Sequence, residues 1–229
     1  MAPSLAFLLD VDNTLIDNDA VTADLKAHLE DEFGKERAHA YWNCFEKLRE
    51  ELGYADYLGA LQRYRIHYPR DPHILQVSKF IVDYPFSSRV FPHAFDVITH
   101  LKQWGQVVIV SDGDVVFQPL KIERSGLSQA VDGHVLIYIH KEKDIEDVEE
   151  RYPATHYVMI DDKLHVLAAM KQRWKTRVTT IFVRQGHYSH DPHLVRANPS
   201  ADGTIERIGD LLKHDCRQLV ERLADRRAK

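Results

Sequence analysis

Five short runs of apolar residues recur along the chain, and segments with helical spacing separate most of them. Each run is bounded by polar or turn residues, as is typical of strands buried in a parallel sheet. The runs cover residues 5–9, 107–110, 135–139, 157–160 and 178–183. Residues 92–104, with Phe95, Ile98 and Leu101, and residues 164–174 have the apolar spacing of helices. This alternation predicts an α/β fold built on a doubly wound, Rossmann-like parallel sheet of about five strands.

One long segment interrupts the alternation. About ninety residues without a strand pattern separate the first run from the second, which is far more than a strand–helix connection needs. Apolar residues recur at helical spacing up to Gly34, again up to Gly53, and a third time around Leu58, while Asp71-Pro72 is a typical start for a fourth helix. We predict a helical cap subdomain at residues 17–88, inserted into a core domain of residues 1–16 and 89–229. A last amphipathic helix is expected over residues 205–228.

Composition limits the classes of function. The chain has 229 residues, 44% of them hydrophobic, and a net charge of −5, so it can fill one core plus an inserted subdomain but has no general field for nucleic acid or an anionic membrane. No apolar run is long enough to span a bilayer or to act as a signal peptide. Cys44 and Cys216 form no spacing motif and favour a reducing compartment. We expect a cytoplasmic monomer or homodimer without nucleic-acid or membrane partners.

Acidic residues follow the first predicted strand. The sequence there is Asp10-Val11-Asp12-Asn13-Thr14, and ligands of open α/β folds bind at this end of the sheet. Two carboxylates so close together repel each other unless a cation holds them. The same residues are also compatible with an acidic loop that caps the next helix.

Three further strand ends carry polar residues. Ser111 and Asp112 follow the second predicted strand, Lys141 and Lys143 follow the third, and an acidic pair, Asp161 and Asp162, follows the fourth. A hydroxyl with the free backbone N–H groups beside Gly113 suits phosphate oxygens. Because the carboxyl ends of parallel strands meet at one edge, these side chains are expected to converge on one pocket.

In this order and context the residues resemble the haloacid dehalogenase-like hydrolase superfamily. Its pattern is DxDxT after the first strand, Ser or Thr after the second, Lys upstream of the fourth, and an acidic pair after it. The resemblance extends over nearly the whole chain, including the helical cap. It implies a phosphatase-type enzyme whose substrate, a small phosphorylated metabolite, is selected by the cap.

The resemblance also implies a mechanism. Asp10 would attack phosphorus to form an aspartyl-phosphate, and Asp12 would protonate the leaving alcohol and later activate water. Mg²⁺ would be bound by Asp10, by the backbone carbonyl of Asp12, by Asp162 directly and by Asp161 through water.

Phosphate oxygens would be bound by Ser111, by the backbone from Asp112 onwards and by a lysine. We favour Lys141 as that lysine, with Lys143 as a competitor. Thr14 would shape the turn rather than react. Lys163, at a position where the family commonly has a small residue, could pair with a carboxylate or touch substrate.

Other side chains receive weaker expectations. His187, His190 and His193 lie three residues apart in a predicted solvated loop, which is not a metal-ligand pattern. Aromatic residues of the cap are expected to form its core rather than a substrate cage. These are Tyr41, Trp42, Phe45, Tyr54 and Tyr57. Asn18 and Asp19 are weaker candidates for substrate contact.

Competing functions share the same core. A 2-haloacid dehalogenase would use Asp10 on carbon but would not need the second acid Asp12, whereas a phosphonatase would need a cap lysine that forms a Schiff base. A phosphomutase differs in how the cap excludes water. A response-regulator module has a different motif order and no place for the insertion. A non-catalytic binding protein is the remaining alternative.

Overall fold

A six-stranded parallel sheet forms the centre of the protein in a computed structural model that describes residues 5–216 and 218–220. Its strands are β1 Leu5–Leu9, β2 Gly105–Asp112, β3 Val135–Tyr138, β4 His156–Asp161, β5 Val178–Val183 and β6 Gly203–Ile205. The spatial order is β3-β2-β1-β4-β5-β6. The predicted α/β fold class is therefore confirmed, with one strand more than expected.

Both faces of the sheet are covered, which explains why β1, β2 and β4 contain continuous apolar runs rather than an alternating pattern. In β1 all five residues are buried: Leu5, Phe7 and Leu9 pack into one hydrophobic cluster and Ala6 and Leu8 into the other. Helices α4 Ala94–Lys102, α5 Phe117–Arg124 and α6 Leu127–Ala130 cover the first face. Helices α7 Ile145–Arg151 and α8 Leu164–Trp174 cover the second.

The register of β1 brings several strand ends level. Leu9 pairs with Ile109 of β2 and with Ile160 of β4, so Asp10, Val110 and Asp161 follow at the same height. The backbone N–H of Asp10 continues the ladder by donating to the carbonyl of Ile160 at 3.0 Å. The carboxyl edge of the sheet is thus a common platform for residues from three neighbouring strands.

Three helices lie between β1 and α4. They are α1 Asn18–Leu52, with non-helical backbone at Gly34, α2 Tyr57–His67 and α3 Ile74–Asp83, and a 3₁₀ turn at Phe86–Arg89 follows them. The chain enters and leaves this segment through two paired connections, because Ile16 and Val90 form an antiparallel bridge and Asp17 donates its N–H to the carbonyl of Arg89 at 2.8 Å. The predicted cap boundaries at residues 17 and 88 lie beside these connections.

Several predicted elements differ from the structure. The expected helix over residues 205–228 is wrong in its first part, where β6 ends at Ile205 and a 3₁₀ helix occupies Ile208–Lys213; residues 217 and 221–228 lie outside the described residues. Of the three apolar residues named for α4, Phe95 is 42% exposed, whereas Ile98 and Leu101 are buried. Ala94 and Val97 complete the inner face of this helix.

The fourth helical pattern of the cap also begins later than predicted. Asp71 is not the N-cap of α3, which starts at Ile74 after His73; its Oδ1 accepts the backbone N–H of His73 at 3.0 Å, and its Oδ2 accepts hydrogen bonds from Tyr64 at 2.6 Å and Arg37 at 3.0 Å. Asp71 therefore ties α1 and α2 to the segment before α3. The two cysteines are free, and none of the described helices is long and apolar enough to cross a membrane.

Candidate active site

Five polar side chains are buried at the carboxyl edge of the sheet. Asp10 is 2% exposed, Ser111 and Asp162 are 1% exposed, and Lys141 and Asp161 are fully buried. They come from the ends of β1, β2 and β4 and from the turn after β3. Burying this many ionisable groups together is costly unless they are paired or bind an ion, so the cluster indicates a functional site.

Asp10, Asp161 and Asp162 form a carboxylate triad. One oxygen from each lies within 4.8 Å of the others. Oδ2 of Asp10 and both carboxylate oxygens of Asp162 are buried and accept no hydrogen bond from the part of the chain that the structure describes. Buried carboxylate oxygens without donors are the ligands that Mg²⁺ prefers. The triad therefore fits a divalent cation.

Lys141 lies between two members of this triad. Its ammonium group bonds Oδ1 of Asp10 and lies 2.6 Å from Oδ2 of Asp161. Its backbone N–H donates to Oδ1 of Asp112 at 2.7 Å, so the Asp112 carboxylate holds the turn that carries the lysine. Lys143, the competing candidate, is exposed.

The electrostatics of the cluster show an excess of negative charge. Burial, reinforced by the neighbouring Asp161, raises the pKa of Asp10 to about 6, although Lys141 opposes the shift. Burial also raises the pKa of Asp162 well above its usual range. For Lys163, burial disfavours the charged form, but Asp10, Asp162 and Asp161 outweigh it and raise the pKa. The site needs more positive charge than its lysines supply.

Ser111 does not cap a helix, and the carboxylate that bonds the backbone just before α5 is that of Asp114. Oδ1 of Asp114 accepts from the backbone N–H groups of Val116 at 2.8 Å and Phe117 at 2.7 Å, where α5 begins. The Ser111 hydroxyl oxygen instead accepts a hydrogen bond from Gln118 Nε2 at 2.8 Å. Gly113 gives this loop the room to approach Gln118, because a Cβ there would lie 2.7 Å from the Cβ of Gln118.

Asp12 is not a member of the triad and lines a cavity. Its side chain is 24% exposed, and its Oδ1 accepts a hydrogen bond from Lys121 Nζ at 2.6 Å. The cavity, of about 550 Å³, lies between the predicted cap and the carboxyl edge of the sheet and is also lined by Asp112 and Lys163. A small molecule in this cavity would therefore lie against Asp12.

The sequence and the fold are both similar to those of known proteins. A family model described as a haloacid dehalogenase-like hydrolase matches residues 5–172. The chain belongs to that family. Its members are hydrolases with this α/β core, so the resemblance found in the sequence is confirmed.

Solved structures give the same result for this haloacid dehalogenase-like hydrolase. A protein classed in the same family from Burkholderia xenovorans LB400 is 59% identical, with a TM-score of 0.89 over 93% of this chain and 99% of that chain. YfnB of Bacillus subtilis, a hydrolase of the family solved with bound magnesium, is 16% identical with a TM-score of 0.59 over 91% and 96% of the two chains. The L-2-haloacid dehalogenase of Xanthobacter autotrophicus is 16% identical with a TM-score of 0.61 over 92% and 98%. No curated protein sequence matched.

The histidines of this hydrolase do not form a metal site. His187 and His190 lie in the short helix α9 Gly186–His190 and His193 in α10 Pro192–Ala197, so the predicted loop is wrong. Among the residues that the structure describes, the Asp10 triad alone has the arrangement of a metal site. His187 instead bonds Asp19 with its backbone N–H at 2.7 Å and with Nδ1 at 2.6 Å.

The aromatic residues of the predicted cap are partly core residues and partly line the cavity. Tyr41, Phe45 and Tyr57 are buried, as expected for core residues. Trp42, Phe45, Tyr54 and Tyr57 also line the cavity, together with Asn18 and Asp19. One aromatic cluster therefore supports the cap and forms a wall of the cavity.

Two residues of the site were not predicted. Asn13 has a left-handed backbone, with φ of 58°, and its buried Oδ1 accepts the N–H groups of Asn18 and Asp19, both at 3.1 Å. It thereby fixes the start of α1 against the loop that carries Asp12. Lys121 is the other; on α5 its sequence context is that of an ordinary helix-surface lysine.

Proposed function

We propose that this hydrolase is a Mg²⁺-dependent phosphatase that cleaves a small phosphate monoester through an aspartyl-phosphate at Asp10. The observation that carries the proposal is the position of Asp12. A second carboxylate, two residues after the candidate nucleophile, faces the cavity where a leaving group would lie. An alcohol leaving group needs a proton donor at that place, whereas a halide does not.

The first step would be attack by Asp10. Lys141 bonds Oδ1 of Asp10, and Oδ2 accepts no hydrogen bond from the described residues, so one oxygen of this carboxylate would bond phosphorus while the other would bind the cation. Mg²⁺ held by Asp10, Asp161 and Asp162, with the backbone carbonyl of Asp12, would neutralise the charge between nucleophile and phosphate. Displacement of the alcohol then leaves the phosphoryl group on Asp10.

Proton transfer and anion binding would involve other residues. Asp12 would give a proton to the departing alkoxide and then remove one from the water that hydrolyses the acyl phosphate. Ser111 and the N–H groups after it would bind equatorial phosphate oxygens, with the ammonium groups of Lys141 and Lys163 nearby. The position of Lys163 supports a role in anion binding. Its ammonium group interacts electrostatically with Asp10, Asp162 and Asp161 but forms no salt bridge within 4 Å among the described residues.

The test is hydrolysis of p-nitrophenyl phosphate with Mg²⁺, with a chelator, and with the Asp10→Asn protein. We expect turnover only in the first case, because the nucleophile and the metal are both required. Turnover that survives chelation or Asp10→Asn would contradict the mechanism. Chloride release from a 2-haloacid, with no phosphatase activity, would instead show a dehalogenase, and no turnover of either would favour a binding protein.

A further inference from the structure

We propose that Lys121, a residue outside the four strand-end motifs, is a positioning residue that orients the carboxylate of Asp12 for proton transfer. The inference rests on the proposed phosphatase activity and adds to it. Lys121 lies in α5 and is 1% exposed. Its ammonium donates to Oδ1 of Asp12 at 2.6 Å and to Oδ1 of Asn18 at 2.9 Å, and it lies 5.1 Å from the ring centroid of Phe117.

Burial of this lysine requires its partners. An ammonium group taken from water is costly unless acceptors replace the lost hydration, and Lys121 finds them in one carboxylate and one amide oxygen. The Asp12 side chain is 24% exposed and lines the cavity, so packing alone does not fix its carboxyl group. A fixed lysine on Oδ1 therefore restricts rotation of the Asp12 carboxyl group and leaves Oδ2 for proton exchange with a leaving group.

Asn18 extends the arrangement into the predicted cap. It is the first residue of α1, and its carbonyl accepts from the hydroxyl of Thr22 at 2.9 Å. The Thr22 hydroxyl in turn lies 3.1 Å from the hydroxyl of Tyr57 on α2. Lys121 thus bonds the proposed acid and the first turn of the cap with one ammonium group, so the orientation of Asp12 depends on where α1 begins.

Leaving-group dependence distinguishes a positioning role from a purely structural one. p-Nitrophenolate departs without protonation, whereas benzyl alkoxide requires a proton. Both phosphates are small enough for the same cavity. The kcat/KM value reports the steps up to cleavage of the ester bond. A residue that acts through the proton donor will therefore affect benzyl phosphate selectively, while a general loss of folding will lower both values together.

The experiment measures kcat/KM of wild type and Lys121→Met for benzyl phosphate and p-nitrophenyl phosphate. We expect the benzyl value to fall by about 10²-fold, at the lower end of what a general acid contributes, and the p-nitrophenyl value to stay within a few-fold. Combining Lys121→Met with Asp12→Asn should add nothing to Asp12→Asn alone, because both changes remove the same proton transfer. Lys171→Met is the matched control. Lys171 is also a largely buried lysine, and it pairs with Asp202 at 2.9 Å and bonds the carbonyl of Val178 at the start of β5, away from the carboxyl edge of the sheet.

The possible outcomes separate this inference from the proposed function. Equal losses on both substrates, or no loss on either, would overturn the positioning role and leave the phosphatase in place. Absence of wild-type turnover on either substrate would overturn the proposed function and this inference with it. If Lys121→Met does not fold, Lys121→Arg and Lys121→Gln give the same comparison, and the arginine, which retains the charge, should keep more of the benzyl activity.

Discussion

Individual charges decide the chemistry of the carboxyl edge. Three carboxylates, Asp10, Asp161 and Asp162, share a buried space with Lys141. Burial is the main cause that raises the pKa values of Asp10 and Asp162, and these carboxylates outnumber the one lysine that bonds them. Under-neutralised carboxylates attract a divalent cation, and the cation together with the lysine can then bind a dianionic phosphate.

Lys141 and Lys143 offer a matched pair of substitutions. Lys141→Met removes a buried ammonium that bonds Asp10 and lies beside Asp161, and we expect kcat for p-nitrophenyl phosphate to fall about 10²- to 10³-fold, as for loss of one charge-stabilising donor. Lys143→Met changes an exposed side chain and should leave kcat within about twofold of wild type. Steady-state kinetics of the two proteins test the assignment, and equal effects would show that the wrong lysine was chosen.

At the residue scale, the sequence predicted the motif residues but not Lys121 and Asn13, which hold Asp12 and its loop in place. The carboxylates, Ser111 and Lys141 are recognisable because each follows a buried strand. Lys121 is ten residues beyond Ser111 on a helix, where a lysine is normally solvated, and its buried contacts are with Asp12 and Asn18, which are more than one hundred residues away in the sequence. The role of Asn13 depends on a left-handed backbone, for which the sequence contains no further signal.

At the scale of elements, two contacts join α1 to the short helix α9. Asp19 near the start of α1 bonds His187, and Arg49 near its end donates to the hydroxyl of Tyr188 at 3.3 Å. Both contacts bridge the predicted cap and the core beside the cavity. They are therefore expected to favour the closed arrangement of the cap, and hinge motion would use the paired connections at Ile16 and Val90.

His187→Ala tests this contact. The His187–Asp19 pair is largely exposed, so its contribution is about 1 kcal/mol or less, and loss of it should raise KM by about fivefold at most with little change in melting temperature. His190→Ala is the control, because His190 is exposed on the same helix and should leave KM unchanged. An unaltered KM in the His187 variant would indicate that this contact does not govern closure.

The sequence also predicted some strands and helices better than others. The strands with a run of four or more apolar or β-branched residues were recognised, because burial on both faces leaves a continuous apolar run. The missed strand β6 has three residues, Gly203–Ile205, and only one of them is a large apolar residue. It is an edge strand held by neighbouring contacts, including the hydrogen bond from Thr180 N–H to Asp202 at 2.9 Å. Ile208 and Leu211 have helical spacing but pack as a 3₁₀ helix.

On the scale of the whole molecule, the predicted cap and the core share one hydrophobic cluster. Tyr57 of α2 packs on Phe117 of α5 with ring centroids 4.9 Å apart, and Phe86 packs on the same ring at 5.3 Å. Phe117 lies one turn before Lys121 on α5. The folding of the protein and the formation of the site are therefore coupled.

Metal binding should stabilise the fold, because Mg²⁺ would bind the folded protein and not the unfolded chain. Without metal, Asp162→Asn is expected to raise the melting temperature, because it removes one of three mutually repelling buried carboxylates. Saturating Mg²⁺ should stabilise the wild type by about 3 kcal/mol at one hundred times Kd and the variant much less. Thermal unfolding with and without Mg²⁺ measures both effects. A variant that gains as much from Mg²⁺ as the wild type would exclude Asp162 as a ligand.

The most direct measurement is chemical trapping of the phosphorylated aspartate. Asp12→Asn protein, which should still accept the phosphoryl group from p-nitrophenyl phosphate but hydrolyse the acyl phosphate slowly, is quenched with acid during turnover and reduced with borohydride. The account predicts that Asp10 is converted to homoserine in the peptide analysed by mass spectrometry, and that Asp10→Asn protein shows no such conversion. Release of p-nitrophenol with Asp10 unmodified, or with the modification at another side chain, would contradict it.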